Sequence, residues 1–522
     1  MLTPYLWLIV TVPVLSLLLF VWIRYVRSCY QVFAKLGIPG PRPSFLFGNA
    51  AAFANKFPMD VFKEWANTFG PVFGFYEGLN PSVVVCCPDL AYKILVKHFK
   101  QFSNRPVINP FTHDHQDLSL QNVSGPLWKR QRQAVSAGMS SKSIREMFPL
   151  IYDVTNNLIQ WLDKAASGNP SGFYIDDAIE RYSLDWFSQA ALGYHSDALT
   201  NDKNLFLRYM RASHESMSPH NVVTGVAKLF PWTTAVLKPL DRQHRTLSSL
   251  QTREVTEFVR ALKTDLAKLT ASSCHGVIFN LITKRVSAVC HEAEMSGEAV
   301  DHPRKSQLEE KEVVGEVSGL LGGGVGPFSS TLTFCLYCLA AYPCEQERLR
   351  TELANVTNTK DALDMDQLSS LPLMDRFIKE TLRCYPVAPG VSRVCVDDCV
   401  LDGVQFKRGM VVRVMFSCMY NQEKHFPNPQ SFSPDRFQAE DNHDDSSDVS
   451  HRATPFMPFG LGPRMCVGRR LAEMVLKLAL TRILQNFQIL RSDVTQVPLP
   501  VTLRPFLVAR DGVHIRMKQI RQ

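Results

Sequence analysis

The run PFMPFGLGPRMCVGRRL, residues 455–471, sets a single cysteine, Cys466, among glycines and just before an apolar pattern of helical spacing. Gly460, Gly462 and Gly468 let such a loop take tight or left-handed conformations and bring its backbone close to another group. Leu471, Met474, Val475, Leu478, Ile483, Leu484 and Phe487 recur on one helix face, so Cys466 falls at or just before a helix N-terminus. Free N–H groups and the helix dipole stabilise a thiolate there. A thiolate so placed is a nucleophile or a metal ligand, and the residues alone leave both open.

Three further groups have types and spacing suited to chemistry. In KETLRCYP, Glu380 and Arg383 are three residues apart and share a helix face. FSPDRF supplies Arg436, and WKRQR supplies Trp128 with Arg132 four residues on. Taken singly, each has a plain structural reading: a solvated ion pair, an aromatic packed on an arginine stem, an inert buried thiol.

The elements that would position these groups are mostly helical. Apolar residues recur with a helical period near 143–164, 241–270, 344–355 and 370–384. PVFGFYEGLNPSVVVCCP (71–88) reads as two strands about a turn at Gly78, Asn80 and Pro81, and MVVRVMFSC (410–418) as another strand. VTLRPFLVARDGVHIRM (501–517) reads as strand with Asp511 and Gly512 as its turn. The fold class expected is mainly α with minor β.

From Tyr5 to Ile23 the chain carries no charge, about the roughly 20 residues that cross a bilayer, and Pro13 is tolerated in such a helix. Arg24, Arg27 and Lys35 follow it, so the positive-inside rule leaves the body in the cytosol. The expected organisation is an anchor over 1–27, a proline-rich linker over 28–44 containing GIPGPRPS, and a globular body over 45–522. Thirteen scattered cysteines, an odd number in a long chain, read as reduced thiols rather than a disulfide framework. A net charge of +8 without a dense basic run argues against nucleic acid as a partner.

Two polar stretches, Ser296–Glu312 and Gln438–Arg452, read as surface loops. Asn221–Leu240, with Trp232 among aliphatic residues and two lysines, reads as a buried segment or a membrane-facing one. Cys335 and Cys338, in CLYC, have no second pair and read as helix packing.

In chain order, the four groups resemble the motifs of the cytochrome P-450 superfamily. Phe459, Gly462, Arg464, Cys466 and Gly468 match its haem loop F-x-x-G-x-R-x-C-x-G; Glu380 and Arg383 match E-x-x-R, Arg436 its third member, and Trp128 with Arg132 its W-x-x-x-R. The resemblance runs from the GIPGPRP linker to the C-terminus. It is strongest to the animal microsomal group that includes the family three drug-oxidising enzymes and thromboxane synthase. It implies a cytochrome P-450 fold behind an N-terminal transmembrane helix, with residues 45–522 as the catalytic domain. It also implies a haem b whose iron takes Cys466 as axial cysteinate, held by a loop including Phe459, Gly460, Arg464 and Gly468. Trp128, Arg132 and Arg464 would meet the propionates, and Glu380, Arg383 and Arg436 would form a structural network.

The implied activity is insertion of one oxygen atom into a lipophilic substrate at the endoplasmic reticulum membrane, from a single-pass protein with a cytosolic catalytic domain. Electrons would come from NADPH through a separate flavin reductase, since the chain has no G-x-G-x-x-G fingerprint. Lys129, Arg130, Arg469 and Arg470 suit an acidic docking face.

Two departures stand against this pattern. Ser318–Ala340 occupies the place of the helix that crosses the haem, and family members carry A/G-G-x-D/E-T there. In this chain the acid position is Gly326 and the alcohol position Pro327. Ser329, Ser330 or ordered water would have to deliver protons instead. Otherwise the protein would be a reductase-independent isomerase or dehydratase of a lipid hydroperoxide or endoperoxide, or a non-catalytic haem carrier or sensor. In YPVAPGVSRVC, Gly390 stands where relatives tend to place a propionate-binding arginine. Either Arg393 swings in or one propionate is less well paired.

Overall fold

The computed structural model describes residues 3–54, 56–107, 110–111, 118–216, 221–266, 308–356, 363–440 and 454–520. The tail of the expected 241–270 helix, residues 296–307 of the first polar stretch and 441–452 of the second lie outside them.

The centre of the molecule is a 32-residue helix, Glu310–Ala341. A capping box formed by Glu309 and Glu312 starts it by satisfying otherwise free N–H groups. The expected surface loop therefore ends early, and Glu312 is buried rather than exposed. Beyond its first two turns this helix is mostly apolar around its circumference, as a largely buried helix should be. Its most apolar window is 78% buried, whereas that of Thr11–Leu36 is only 6% buried. Similar composition thus serves two environments. The central helix packs among Asp176–Phe187, Pro372–Cys384 and Arg469–Asn486, which share one large apolar core.

A four-stranded sheet runs in the order Val72–Glu77, Asn80–Val85, Val411–Met415, Gly390–Val394, with a parallel pair in the middle. The first turn is tighter than expected: Gly78 (φ 61°) and Leu79 make it, and Asn80 and Pro81 already belong to the second strand. The 410–418 strand stops at Met415, and Phe416–Tyr420 coils into a short helix.

Asp511 and Gly512 do not close a hairpin. Val501–Arg504 pairs with Phe506–Ala509 across Pro505, while His514–Gln519 pairs with Phe487–Arg491 in another sheet. The chain passes between the two sheets at Gly512 (φ 80°). The 241–270 pattern is broken into helices Arg242–Ser249 and Thr256–Leu266 by a wide π turn over Leu250–Val255. The other three helices expected are Ser141–Gly168, Pro343–Val356 and Pro372–Cys384.

Within 28–44, Phe33 and Ile38 are buried, and Tyr76 Oη donates to Tyr30 O at 3.0 Å, so this stretch is laid against the sheet. Asn221–Leu240 is not a buried segment. Val222, Trp232, Val236 and Leu240 are all more than half exposed, and the Trp232 ring meets Trp22 of the N-terminal helix edge-on at 5.8 Å.

Candidate functional site

The cysteine loop folds by its own backbone. Gly460 and Gly462 take φ of 72° and 73°, which L side chains rarely adopt, and Gly462 packs so closely that a Cβ would lie 2.1 Å from Leu95 O. Cys466 N–H donates to Phe459 O at 2.9 Å, which closes the loop just before helix Arg469–Asn486 with Gly468 at its N-cap.

Cys466 is accessible, but to a cavity of about 1000 Å³ rather than to open surface. Burial pushes its thiol pKa up, against the pull of the Gly468 N–H and the Arg132 guanidinium. Burial and the helix N-terminus thus act on this thiol in opposite directions. A metal cation bound at the sulfur would favour the thiolate.

Four arginines line the same cavity, Arg105, Arg132, Arg413 and Arg464, of which Arg413 is paired with Glu77. Arg132 Nη1 donates to Met465 O at 2.8 Å and Arg464 Nη2 to Val123 O at 2.6 Å, while Arg105 reaches Gln121 O and Arg464 O at 3.4 and 3.5 Å. The Arg464 guanidinium lies 4.6 Å from the centre of the Trp128 ring. Burial lowers the Arg464 pKa to about 9, with Arg105 and Arg132 adding repulsion, and its Nε has no partner. Among the described residues no carboxylate pairs with Arg105, Arg132 or Arg464. Such a concentration of positive charge, buried at Arg464 and half-buried at Arg105 and Arg132, fits a dianionic group, and the two propionates of haem are one.

Gly390 has no room for a side chain, since a Cβ there would lie 2.5 Å from Val414 O. Arg393 does not take over its place in the cavity. It is buried behind the wall, where Nη1 donates to Ser392 O at 2.9 Å, Nε is unpartnered, and burial beside Arg105 and Arg464 lowers its pKa to about 9. Arg105 supplies the cavity-facing charge instead. Its signal in the sequence is only an arginine before a proline in a loop.

Glu380 and Arg383 form a two-bonded pair, Nε to Oε2 at 2.7 Å and Nη2 to Oε1 at 2.9 Å, with both side chains at most 1% exposed. Arg436 Nε reaches the same Oε1 at 3.1 Å, as does the Ser433 N–H at 2.8 Å. The solvated-pair reading fails. The network joins helix Pro372–Cys384 to the 427–436 segment through Arg383 to Pro429 O and Arg436 to Pro427 O, each at 2.8 Å.

Pro327 lines the cavity but Gly326 does not. A Cβ on Gly326 would lie 3.0 Å from His214 Nε2 and 3.1 Å from a Phe506 ring carbon. His214 Nε2 is buried without a partner, and burial lowers its pKa to about 4. Ser329 and Ser330 both donate to Gly326 O, at 2.9 and 3.0 Å, and neither lines the cavity. Thr331, one turn on from Pro327, does line it.

Gly326→Asp should therefore act first on His214. A carboxylate so close to the imidazole should raise its pKa by about 1–3 units, readable by NMR titration of the labelled histidine; an unmoved pKa would show that the two side chains do not meet.

Of the four cations expected to dock a partner, Arg130 turns inward to pair with buried Glu312, and Arg469 pairs with Glu473 at 2.9 Å. Lys129 and Arg470 remain exposed. Cys335 and Cys338 are fully buried in the main core, and burial pushes the Cys335 thiol up to about 12, as packing residues require.

The family model described as Cytochrome P450 matches residues 38–515. The chain is similar to cytochrome P450 3A28 of Bos taurus, 32% identical over 478 residues, which cover 91% of this chain and 89% of that protein. It is also similar to cytochrome P450 3A41 of Mus musculus, 28% identical over 508 residues covering 96% and 95%.

Proposed function

Because the chain belongs to the cytochrome P450 family of haem-thiolate monooxygenases, we propose that Cys466 ligates its haem iron, that Arg105, Arg132 and Arg464 hold the propionates, and that a lipophilic molecule fills the rest of the cavity. The observation that carries this reading is an accessible cysteine in the same cavity as buried Arg464 and half-buried Arg105 and Arg132, which lack carboxylate partners. Haem held there would supply oxygen activation, and Cys466 would be the thiolate that tunes its iron.

What the chain itself contributes is a largely apolar wall and a route for protons. Pro327 has no N–H, so the Gly323 carbonyl one turn back lacks its helical donor and, on the cavity side, is free to hold water. Thr331 Oγ1 donates to Pro327 O at 2.8 Å and keeps its acceptor capacity for water. Electrons come from NADPH through a flavin reductase, for which Lys129 and Arg470 are the exposed cations nearest in sequence to the site. Residues 1–27 anchor a cytosolic catalytic domain, 45–522, in the endoplasmic reticulum membrane.

The test is whether product formation from lipophilic substrates requires NADPH and reductase. It should, and turnover should be leaky, releasing much of the reducing power as hydrogen peroxide, because water replaces a fixed acid and alcohol. A second reading is favoured by the same Gly326–Pro327 pair: rearrangement of a lipid hydroperoxide or endoperoxide, which needs no proton delivery to oxygen. Fast conversion of such a peroxide without NADPH would establish it and overturn the first.

A further inference from the structure

The cavity contains a carboxyl group that the proposed chemistry does not use. Glu316 lies on the central helix eleven residues before Pro327, about 16 Å of helical rise, and it lines the cavity while only 1% exposed. Its Oε2 accepts a hydrogen bond from Leu120 N–H at 2.7 Å. The donor is held in place because Ser119 packs on the helix at Gly319, where a Cβ would lie 2.5 Å from Ser119 Cβ. Among the described residues nothing donates to Oε1, and no lysine, arginine or histidine lies within ion-pair distance. Glu312, one turn back, is already neutralised by Arg130 of helix Gly125–Gly138. Burial pushes the Glu316 carboxyl up to about 7, opposed only by the Leu120 bond.

A buried carboxylate without a cation is costly, and the cost is relieved by protonation or by a positive partner. Much of the remaining wall is apolar, including Trp186, Phe187, Val391, Leu503 and Phe506. We infer that Glu316 determines specificity and that the cavity takes lipophilic substrates bearing a cationic amine, which pairs with the free Glu316 oxygen while the apolar remainder lies along the wall. This rests on the cavity being the substrate site of the haem protein proposed above. An alcohol would satisfy the protonated acid equally, but it would show no charge preference.

The test uses the full-length haem-loaded protein and the shift of its Soret band on ligand binding. The probes are hexyltrimethylammonium, which can neither titrate nor ligate iron, and its neutral isostere with a tert-butyl group in place of trimethylammonium. At about pH 8, where Glu316 is ionised, the cation should bind about 10–100-fold more tightly than the isostere, the range of one charge-assisted contact. The preference should fade as pH falls through about 7, because protonation removes the charge. Glu316→Gln keeps an acceptor for Leu120 N–H and should abolish the preference at every pH, leaving the isostere's affinity within about threefold. Equal binding of the two probes by the native protein, or a preference that survives in Glu316→Gln, overturns the inference. Either result with a normal ferrous carbon monoxide spectrum leaves the haem-thiolate reading standing, whereas loss of that spectrum from the native protein removes the reading itself.

Discussion

Cys466→Ala should abolish the strongly red-shifted Soret band of the ferrous carbon monoxide complex, together with all NADPH-dependent turnover. No other described cysteine lines the cavity. Cys335, Cys338 and Cys395 are buried in the apolar cores, with thiols raised by burial, so none can present a thiolate in its place. The loop should survive the change, since Cys466 takes part in its folding through the backbone N–H to Phe459 O. The variant is therefore expected to fold and to bind haem weakly or not at all, which pyridine haemochrome analysis would quantify. A variant that kept the band would move the ligand to another residue and sink the assignment.

The second large effect lies away from the cavity. Glu380→Gln removes the charge that two guanidinium groups share, leaving Arg383 buried and without its counterion. Breaking a buried pair from one side costs about 3–5 kcal/mol, against a total stability of roughly 5–15 kcal/mol. Much of the protein should then fail to accumulate in folded form. Arg436→Ala should cost less, about 1–2 kcal/mol, because Arg383 still holds both carboxylate oxygens. Urea midpoints for the two variants would rank them, and an equal or reversed ranking would show that the charge on Glu380 is compensated elsewhere.

What could be read in the sequence was whatever depends on near neighbours. The Cys466 loop, the pair Glu380–Arg383 and the two strands around Gly78 each follow from spacing of a few residues, and the structure has them there. Features set by distant contacts were misread. Asp511 and Gly512 have hairpin chemistry, but His514–Gln519 finds a better partner in Phe487–Arg491. Glu312 belongs to a polar run and is drawn inside by Arg130, 182 positions away. Arg105 and Glu316 look like ordinary surface charges until folding turns them into one cavity. His214 shows nothing in the sequence to connect it with Gly326, because only helix packing brings them together.

The Asn221–Leu240 segment has one side in the cavity, through Ala227, Lys228, Pro231 and Thr234, and another turned outward at Val222, Trp232 and Val236, beside Trp22. With the N-terminal helix in a bilayer, this segment would stand between dissolved lipid-phase solutes and the cavity. The concentration that the site experiences is then the solute's aqueous concentration multiplied by its membrane partition coefficient. Michaelis constants expressed per volume of water will drift with the amount of lipid in the assay, and those expressed as mole fraction in the bilayer will stay constant.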